Sequence, residues 1–346
     1  MLDDIKKIRT IDKSNMLAVI SSLPSQIERT KTLVEGLEVP KMKPISIVIS
    51  GMGGSSIGGE LMRDWLSDKI QIPIVANRTS GLPRFAGRDT LSILVSYSGN
   101  TNETLACAEH SIRRGCRIVG ITSGGNLKKL CRTRGFPCIL LPPGLPPRGA
   151  IGYLFSSIAF LLQEMAFVRV EEEIHEARGF IEEVQHGWTA NVETKENEAK
   201  VIAKLIEKRI PTIYGHTYYG AVARRWMTQI NENAKTLAWW SEIPEMNHNE
   251  IEGWTRDTKG KKFAAIFLRD RHENTDISNQ VRVTVEMLSK RSKTHEVWAQ
   301  GATSLSRMLY SMYLGDYVSF YLAVLKGVDP MPVSAIQEVK KKVYSS

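Results

Sequence analysis

The chain has 346 residues, which is long enough for two domains, and 42% of them are hydrophobic, as in an ordinary globular protein. The net charge of +9 comes from lysines and arginines that are scattered or stand in short clusters, without interleaved aromatic residues. This pattern argues against a nucleic-acid partner, and we expect instead a basic surface that attracts an anionic small molecule. The first residues lack the apolar core of a secretory signal, which predicts a cytoplasmic protein.

No pattern in the sequence indicates a metal centre, a disulfide framework or a membrane span. The four cysteines have no paired spacing, and no cluster of His, Cys and Asp has the spacing of metal ligands, so we expect buried thiols and no metal. The apolar segment 150–168 is interrupted by Gln163 and Glu164, which favours a buried core helix over a membrane helix. We therefore expect no contact with a membrane.

The first predicted strand, 45–50, ends in a glycine-rich loop that opens a helix running to about Trp65. The loop is Gly51-Met52-Gly53-Gly54-Ser55-Ser56-Ile57-Gly58-Gly59. A strand that leads through small residues into a helix presents unpaired N–H groups at the positive end of the helix dipole, which can bind phosphate. Ser56 stands where a dinucleotide-binding fingerprint has its third glycine, so a nicotinamide-dependent dehydrogenase is disfavoured. A tight turn that serves only packing is the alternative.

A second loop of the same design, Ser96-Tyr97-Ser98-Gly99-Asn100-Thr101, follows the predicted strand 91–96 and precedes a predicted helix over 102–114. Its hydroxyls crowd one turn, and its glycine lets the backbone approach an anion closely. No lysine of a Walker motif accompanies it, which favours a phosphomonoester over a nucleoside triphosphate. We expect the two loops to lie side by side and to hold one phosphate between them.

Further predicted strands, 72–76, 117–121 and 138–141, alternate with helical segments, which indicates a parallel sheet covered on both faces. Parallel sheets bind ligands at the carboxyl ends of their strands, where both loops emerge. A proline-rich loop leaves the same edge and carries Arg148. This arginine suits an anion, or the negative charge that develops on an oxygen during a reaction. A salt bridge from the loop to a helix is the alternative.

The second half of the chain repeats the pattern after one or two long helices over 170–208. The segment 58–65 has a faint counterpart in 220–226, which indicates an internal duplication. The loop of the second copy, 215–218, has lost most of its hydroxyls, so we expect one phosphate site per chain. The predicted elements of this half are strands 210–214, 262–268 and 294–299 and helices 219–233, 277–289 and 304–326.

Two polar segments, 231–235 and 238–250, place carboxylates, one histidine and several asparagines beside aromatic residues. Acid/base catalysis needs a carboxylate in a partly desolvated site and a group that titrates near neutrality. A glutamate and His248 supply such a pair. Helix capping or a solvated loop is the alternative for each residue. Spacing alone does not select among the candidate glutamates, which are Glu232, Glu242, Glu245 and Glu250.

Six motifs occur in order along the chain: Gly51-Met52-Gly53-Gly54-Ser55, Ser96-Tyr97-Ser98-Gly99-Asn100-Thr101-Asn102-Glu103-Thr104, Pro147-Arg148-Gly149, Asn231-Glu232-Asn233-Ala234-Lys235, Asn247-His248-Asn249-Glu250, and Asp329-Pro330 with Lys340. As an ordered set they resemble the bifunctional phosphoglucose/phosphomannose isomerases of the sugar isomerase (SIS) domain superfamily. The resemblance implies an α/β fold with two flavodoxin-like αβα sandwich (SIS) domains and parallel sheets. It implies one domain over 1–168 with an N-terminal helical extension, a helical linker over 169–208, and a second domain over 209–346 with a C-terminal tail.

The resemblance also implies a role for each motif. The phosphate of the substrate would be bound by Gly53, Gly54, Ser55, Ser96, Ser98 and Thr101. Glu232 would move a proton between C2 and C1 of the sugar, and Arg148 would stabilise the enediolate oxygen. His248, supplied by the neighbouring subunit of a homodimer, would open the sugar ring together with Lys340. The two residues after Lys340 are also lysines and compete for that role.

The expected reaction is the interconversion of glucose 6-phosphate and mannose 6-phosphate with fructose 6-phosphate through a cis-enediol, within glycolysis and gluconeogenesis. It requires a base for the proton alpha to a carbonyl and immediate stabilisation of the oxyanion, and it needs no cofactor. Binding of the remote phosphate would position C1 and C2 against the base. A sugar-phosphate-binding regulatory protein without catalysis is the alternative, although such a protein has no need of both Glu232 and His248.

Overall fold

The computed structural model of the protein describes residues 1–39 and 43–344. The strands within these ranges are β1 Ser46–Ser50, β2 Ile74–Asn77, β3 Thr90–Val95, β4 Arg117–Thr122, β5 Cys138–Leu140, β6 Ile210–Gly215, β7 Trp239–Glu242, β8 Phe263–Arg269 and β9 Lys293–Trp298. The helices are α1 Ile5–Ile11, α2 Met16–Ser21, α3 Leu23–Val34, α4 Gly54–Trp65, α5 Asn102–Arg113, α6 Gly125–Arg134, α7 Ile151–Glu164, α8 Glu171–Val184, α9 Glu198–Ile206, α10 Gly220–Ala234, α11 Glu250–Arg256, α12 Thr275–Ser289, α13 Ser304–Lys326 and α14 Ser334–Tyr344. Short 3₁₀ turns lie at Pro147–Ala150, Gln185–Trp188, Thr217–Tyr219, Glu245–His248 and Thr258–Lys262.

The first sheet is parallel throughout, with the strand order β2-β1-β3-β4-β5. Alternate residues of β1 face different cores: Ile47 and Ile49 pack into the core that contains α4 and α7, whereas Val48 packs beside Cys107 of α5. Strands β1 and β3 are neighbours, with Ser50 opposite Leu94. The strand order changes direction at this pair, and such a switch point leaves a crevice at the carboxyl edge of the sheet.

The second sheet is also parallel, and its order β7-β6-β8-β9 repeats the β2-β1-β3-β4 order of the first sheet. The expected α/β fold with two flavodoxin-like parallel sheets is confirmed. The predicted strands agree with the observed ones within two residues, but β7 was not predicted. Its residues, Trp239–Glu242, are at least partly exposed on an edge strand, so they lack the apolar run that marks the buried strands.

Two helices form much of the core. Helix α13 is buried along almost its whole length and packs against α10, α9 and α8. Helix α7, predicted within 150–168 as a core helix, is buried from Ile151 to Leu162 and packs between α3 and α4, as expected. The predicted helices over 170–208 are α8 and α9. No helix in the described ranges is both long enough and apolar enough to cross a membrane.

Candidate active site

The glycine-rich loop forms the turn between β1 and α4. Gly53 has φ 53° and ψ −126°, a backbone conformation that glycine adopts without the strain of a side chain. Helix α4 begins at Gly54, so its positive amino end opens on this loop. A β-carbon on Gly54 would lie 2.8 Å from the backbone N and Cα atoms of Arg148. The loop therefore packs directly against the turn that carries the arginine.

The serine loop forms the corresponding turn between β3 and α5. The hydroxyl oxygens of Ser96 and Thr101 lie 2.9 Å apart, and Ser98 Oγ accepts a 3.3 Å hydrogen bond from the backbone N–H of Asn100. The backbone N–H of Tyr97 donates to Ser55 Oγ at 3.2 Å, which joins the two loops. The structure thus places the glycine and serine loops at the neighbouring carboxyl ends of β1 and β3. Helices α4 and α5, which follow these loops, therefore begin beside each other at this edge of the sheet.

Tyr97 connects the serine loop to the proline-rich loop, and sequence reasoning did not assign it a role. Its hydroxyl donates to the carbonyl of Pro142 at 2.6 Å and accepts from the backbone N–H of Leu145 at 3.1 Å. Burial raises the pKa of the Tyr97 phenol, so the donor proton stays in place at neutral pH. Tyr97 lies between two predicted phosphate ligands in the sequence, and this position was the one available signal.

Arg148 lies in the 3₁₀ turn before α7 and is only 4% exposed. Its Nε–H donates to Asn233 Oδ1 at 2.8 Å, and its Nη2 group donates to the carbonyls of Pro330 and Met331 at 2.9 and 2.8 Å. Three N–H bonds of the guanidinium are therefore fixed by protein oxygens. The Nη1 group makes none of these bonds, which leaves it available to a ligand.

Glu232 lies in the last turn of α10 and meets Arg148 at the crevice. The distance from Glu232 Oε2 to Arg148 Nη1 is 3.6 Å, and the glutamate side chain is 23% exposed. Burial lowers the pKa of Arg148 and the carboxylate of Glu232 opposes this shift, but an arginine stays charged at any physiological pH. A partly exposed carboxylate beside a buried cation can accept a proton from a substrate while the cation stabilises the resulting oxyanion.

Lys235 adds a second cation beside this pair, and sequence reasoning gave it no role. It ends α10 in the left-handed conformation, and its Nζ group donates to the carbonyls of Glu232 and Pro330 at 2.6 and 3.1 Å. Burial lowers the pKa of Lys235, and the charge of Arg148 lowers it further. The turn that follows Glu232 and the tail around Pro330 are thereby held together.

The structure does not bring His248 and Lys340 to this pair within one chain. His248 ends the 3₁₀ turn Glu245–His248 and is exposed, and Lys340 is exposed on α14. Within the described part of the chain, neither side chain makes a hydrogen bond or ion pair with Arg148 or Glu232. Of the neighbouring lysines, Lys342 pairs with Glu338 at 2.6 Å.

The other candidate glutamates lie elsewhere. Glu242 is exposed at the end of β7, and Glu245 accepts a hydrogen bond from Asn249 at 2.8 Å. Glu250 accepts from the Tyr214 hydroxyl, also at 2.8 Å. Among the four glutamates that the sequence left open, Glu232 alone is ion-paired with Arg148 in the described ranges.

The carboxyl edge of the second sheet carries a different set of groups. His216 follows β6, and its Nε2 atom lies 3.1 Å from Glu273 Oε2. Burial alone would raise the pKa of Glu273, but His216, Arg269 and the backbone N–H of Asp270 lower it to about 2. Glu273 is also ion-paired with Arg269, so the residues described at this edge are bound to one another. No group of three or more potential metal ligands occurs among the residues described.

Comparison with known proteins identifies the family to which the chain is related. Residues 195–343 match the family described as bacterial phospho-glucose isomerase C-terminal SIS domain. The chain is 34% identical to a bifunctional phosphoglucose/phosphomannose isomerase of Caldicellulosiruptor bescii, over 95% of this chain and 98% of that protein. It is 38% identical to a protein of the same name from Thermoplasma acidophilum, over 86% and 89% of the two chains.

A solved structure shows a similar fold. The crystal structure of a glucose-6-phosphate isomerase-like protein from Thermus thermophilus superposes with a TM-score of 0.62 at 19% identity, over 95% of this chain and 96% of that one. With its two parallel sheets and its extended identity to these two relatives, this chain belongs to the family of the bifunctional phosphoglucose/phosphomannose isomerases.

Proposed function

We propose that this protein is an aldose-ketose isomerase that interconverts glucose 6-phosphate and mannose 6-phosphate with fructose 6-phosphate. The observation that carries the proposal is the pair of Arg148 and Glu232, 3.6 Å apart, with Arg148 packed against the glycine loop. A hexose 6-phosphate anchored at one end would present C1 and C2 to this pair at the other. The named activity of the relatives and the family membership support the same reaction.

In the proposed mechanism the phosphate is bound first and the chemistry follows at the far end of the sugar. Six residues hold the phosphate: Gly53, Gly54, Ser55, Ser96, Ser98 and Thr101. His248 and Lys340 open the pyranose ring by moving a proton between the ring oxygen and the C1 hydroxyl. Glu232 takes the proton from C2 and returns it to C1, while Arg148 stabilises the negative charge on the enediolate oxygen between the two steps. C1 and C2 exchange oxidation states, but the sugar as a whole is neither oxidised nor reduced, so the reaction needs no redox cofactor.

We propose that the active protein is a homodimer in which His248 comes from the neighbouring subunit. Its exposure and its lack of contact with Glu232 within the described part of one chain support this arrangement. Helix α14 also carries an exposed apolar stripe of Ile336, Val339 and Val343, which a second copy of the chain would cover. The proposed domains are 1–168 and 209–346 with the linker 169–208, and the proposed location is the cytoplasm, as for an enzyme of glycolysis and gluconeogenesis.

The homodimer is tested by mixing two variants that are each inactive. A heterodimer of Glu232→Gln and His248→Ala subunits contains one site with both wild-type residues only if His248 crosses the interface. Renewed activity after mixing supports the arrangement, and continued inactivity in a verified heterodimer contradicts it. Val339→Asp should shift the protein toward monomer in analytical ultracentrifugation, whereas Gln337→Asp, which adds the same charge beside the stripe, should not.

The reaction is tested by assaying the purified protein with both aldose phosphates and with fructose 6-phosphate. Glu232→Gln keeps the size of the side chain but removes the base, so turnover should fall about 10²- to 10⁴-fold. Glu182→Gln is the matched control, because that carboxylate pairs with Arg178 within α8, away from the proposed catalytic residues, and it should leave turnover unchanged. Wild-type turnover in Glu232→Gln would remove the assignment of the base.

The same assays distinguish the enzyme from a regulatory protein that only binds sugar phosphates. A regulatory protein would be stabilised against heat by fructose 6-phosphate without converting it. We expect both stabilisation and conversion from this chain. Stabilisation alone would favour the regulatory function.

A further inference from the structure

Two of the four free cysteines lie beside each other in the first half of the chain. Cys131 lies near the end of α6, and Cys138 is the first residue of β5. A β-carbon built on Gly120 of β4 would lie 2.6 Å from Cys131 Sγ and 3.4 Å from Cys138 Sγ. The two sulfurs therefore meet over a position of the sheet that has no side chain.

The chain reverses between the two cysteines and so brings them together. Helix α6 ends at Gly135, whose φ of 67° is left-handed, and the carbonyl of Cys131 accepts the backbone N–H groups of Gly135 and Phe136. Strand β5 then pairs in parallel with β4, with Cys138 opposite Gly120. Both thiols are thus held by regular backbone structure, one on the helix and one on the strand beneath it.

The two thiols differ in exposure and in acidity. Cys131 is fully buried, whereas Cys138 is partly exposed. Hydrogen bonding between the two thiols lowers the pKa of Cys138, and the charge of Lys128 lowers it further, whereas the same hydrogen bonding and burial raise the pKa of Cys131. Peroxides react with thiolates, and an accessible thiolate beside a second cysteine is the arrangement that permits reversible oxidation.

The other two cysteines have neither feature. Cys107 and Cys116 are buried, and burial raises the pKa of both thiols. The thiol of Cys107 donates to the carbonyl of Thr79 at 3.0 Å. These two residues are therefore controls within the same molecule, since buried thiols with a raised pKa react slowly with peroxides.

We propose that Cys138 and Cys131 form a reversible oxidation site, in which a peroxide oxidises Cys138 and Cys131 converts the product to a disulfide. In the first step the Cys138 thiolate attacks a peroxide oxygen, so an S–O bond forms, the O–O bond breaks and hydroxide leaves. In the second step Cys131 Sγ displaces the oxygen from Cys138, so the S–S bond forms, the S–O bond breaks and the oxygen leaves as water with the thiol proton. Two thiols lose two electrons in total, and one peroxide is reduced.

The disulfide would join the end of α6 to β5, the edge strand that pairs with β4 over the positions Cys138–Leu140. A covalent link of this kind restricts the unfolded chain, so the oxidised protein should unfold at a higher temperature than the reduced one. Disulfide formation also protects Cys138 from irreversible oxidation to sulfinic acid. The inference goes beyond the proposed isomerase function and does not depend on it.

The test is treatment of the folded wild-type protein with hydrogen peroxide, followed by alkylation of the remaining thiols in denaturant and mass spectrometry. We expect the loss of two of the four free thiols. Trypsin cleaves after Arg132 and Arg134, between the two cysteines, so the disulfide should appear as a linked pair of peptides that contain Cys131 and Cys138. Dithiothreitol should separate the peptides and restore both thiols.

Three variants separate the two steps. Cys131→Ala should stop after the first step, so that dimedone, a trap for sulfenic acids, labels Cys138 and no linked peptides form. Cys138→Ala should slow the loss of thiols at least about tenfold, because the remaining thiols are buried. Cys107→Ala is the matched control, and it should form the linked peptides at the wild-type rate.

Two results would overturn the inference. One is a folded wild-type protein in which peroxide leaves Cys138 unchanged, or converts it to sulfenic or sulfinic acid while Cys131 stays free. The other is reaction of Cys107 and Cys116 as fast as that of Cys138, which would show that the thiols react through unfolding. Neither readout uses the isomerase assay, so a failure here is distinct from a failure of the proposed function.

Discussion

Arg148 owes its position to backbone contacts as much as to its own side chain. The β-carbon that Gly54 lacks would lie 2.8 Å from atoms of Arg148 and Pro147, and these are backbone atoms rather than the end of a flexible side chain. The backbone carbonyl of Arg148 also accepts a 3.1 Å hydrogen bond from Arg225. The glycine loop and the arginine are thus parts of one packed unit, and a change in one should displace the other.

Gly54→Ala should therefore impair the site through displacement of Arg148. The added methyl group forces the turn at Pro147 to shift, which should cost about 1–3 kcal/mol of stability and lower kcat by at least tenfold. Chemical denaturation and steady-state kinetics measure the two effects. Gly58→Ala, in the same helix, places its β-carbon at an ordinary 3.4 Å from the backbone of α7 and should leave kcat near the wild-type value. Equal kinetics for the two variants would contradict the role given to the close contact.

Single residues can be predicted from the sequence when they belong to a local motif with recognisable chemistry. Residues that act through tertiary contacts cannot. The serine loop could be predicted because its hydroxyls follow a strand directly. Tyr97 and Asn233 could not, because their partners are backbone and side-chain atoms more than 40 residues away. The pairing of Glu232 with Arg148 likewise depends on how α10, which covers the second sheet, packs against α4 of the first half.

At the scale of elements, the order of strands explains why the glycine and serine loops are neighbours. The predicted β1 and β3 were correct within one residue because long apolar runs between glycine-rich turns mark buried parallel strands. Their adjacency follows from the flavodoxin-like order, and it places the glycine and serine loops at one switch point. Strand β7 was not predicted, because an exposed edge strand lacks such an apolar run.

The second sheet carries a buried ion pair between Glu273 and Arg269, and protonation of Glu273 in acid should destabilise the fold. The pKa of Glu273 is lowered to about 2 in the folded protein, so its ionised form stabilises the fold above the ordinary value of 4.5. This contribution should be lost progressively as the pH falls from 4.5 toward 2, as seen in the free energy of unfolding. Glu273→Gln should be less stable at neutral pH and should depend less on pH across that window. A variant that loses stability in acid as steeply as the wild type would contradict this assignment.

At the scale of the whole molecule, the two halves are joined through α4 and α10. Helix α4 begins in the glycine loop and α10 ends with Glu232, so in the proposed mechanism their contact sets the distance between the phosphate ligands and the base. Glu60 of α4 pairs with Arg224 of α10, and Asp64 accepts a 2.9 Å hydrogen bond from the backbone N–H of Ala221. The carboxylate of Asp64 thereby caps the first turn of α10 from the other half of the molecule.

Asp64→Ala should weaken this junction. Loss of the cap should lower the free energy of unfolding by about 0.5–2 kcal/mol, as measured by chemical denaturation. Asp68→Ala is the control, because Asp68 is exposed and accepts a hydrogen bond from the Tyr218 hydroxyl across the same junction, so it should cost less. A larger loss in Asp68→Ala than in Asp64→Ala would contradict the capping role.

The central claim is that one hexose phosphate spans the crevice, with its phosphate on the loops after β1 and β3 and its first two carbons at Glu232 and Arg148. A crystal structure with fructose 6-phosphate tests this most directly. We predict phosphate oxygens within hydrogen-bonding distance of the hydroxyls of Ser55 and Ser96, and the Glu232 carboxylate about 3–3.5 Å from C1 and C2. A phosphate bound at the second sheet, or a sugar whose first two carbons face away from Glu232, would contradict the account.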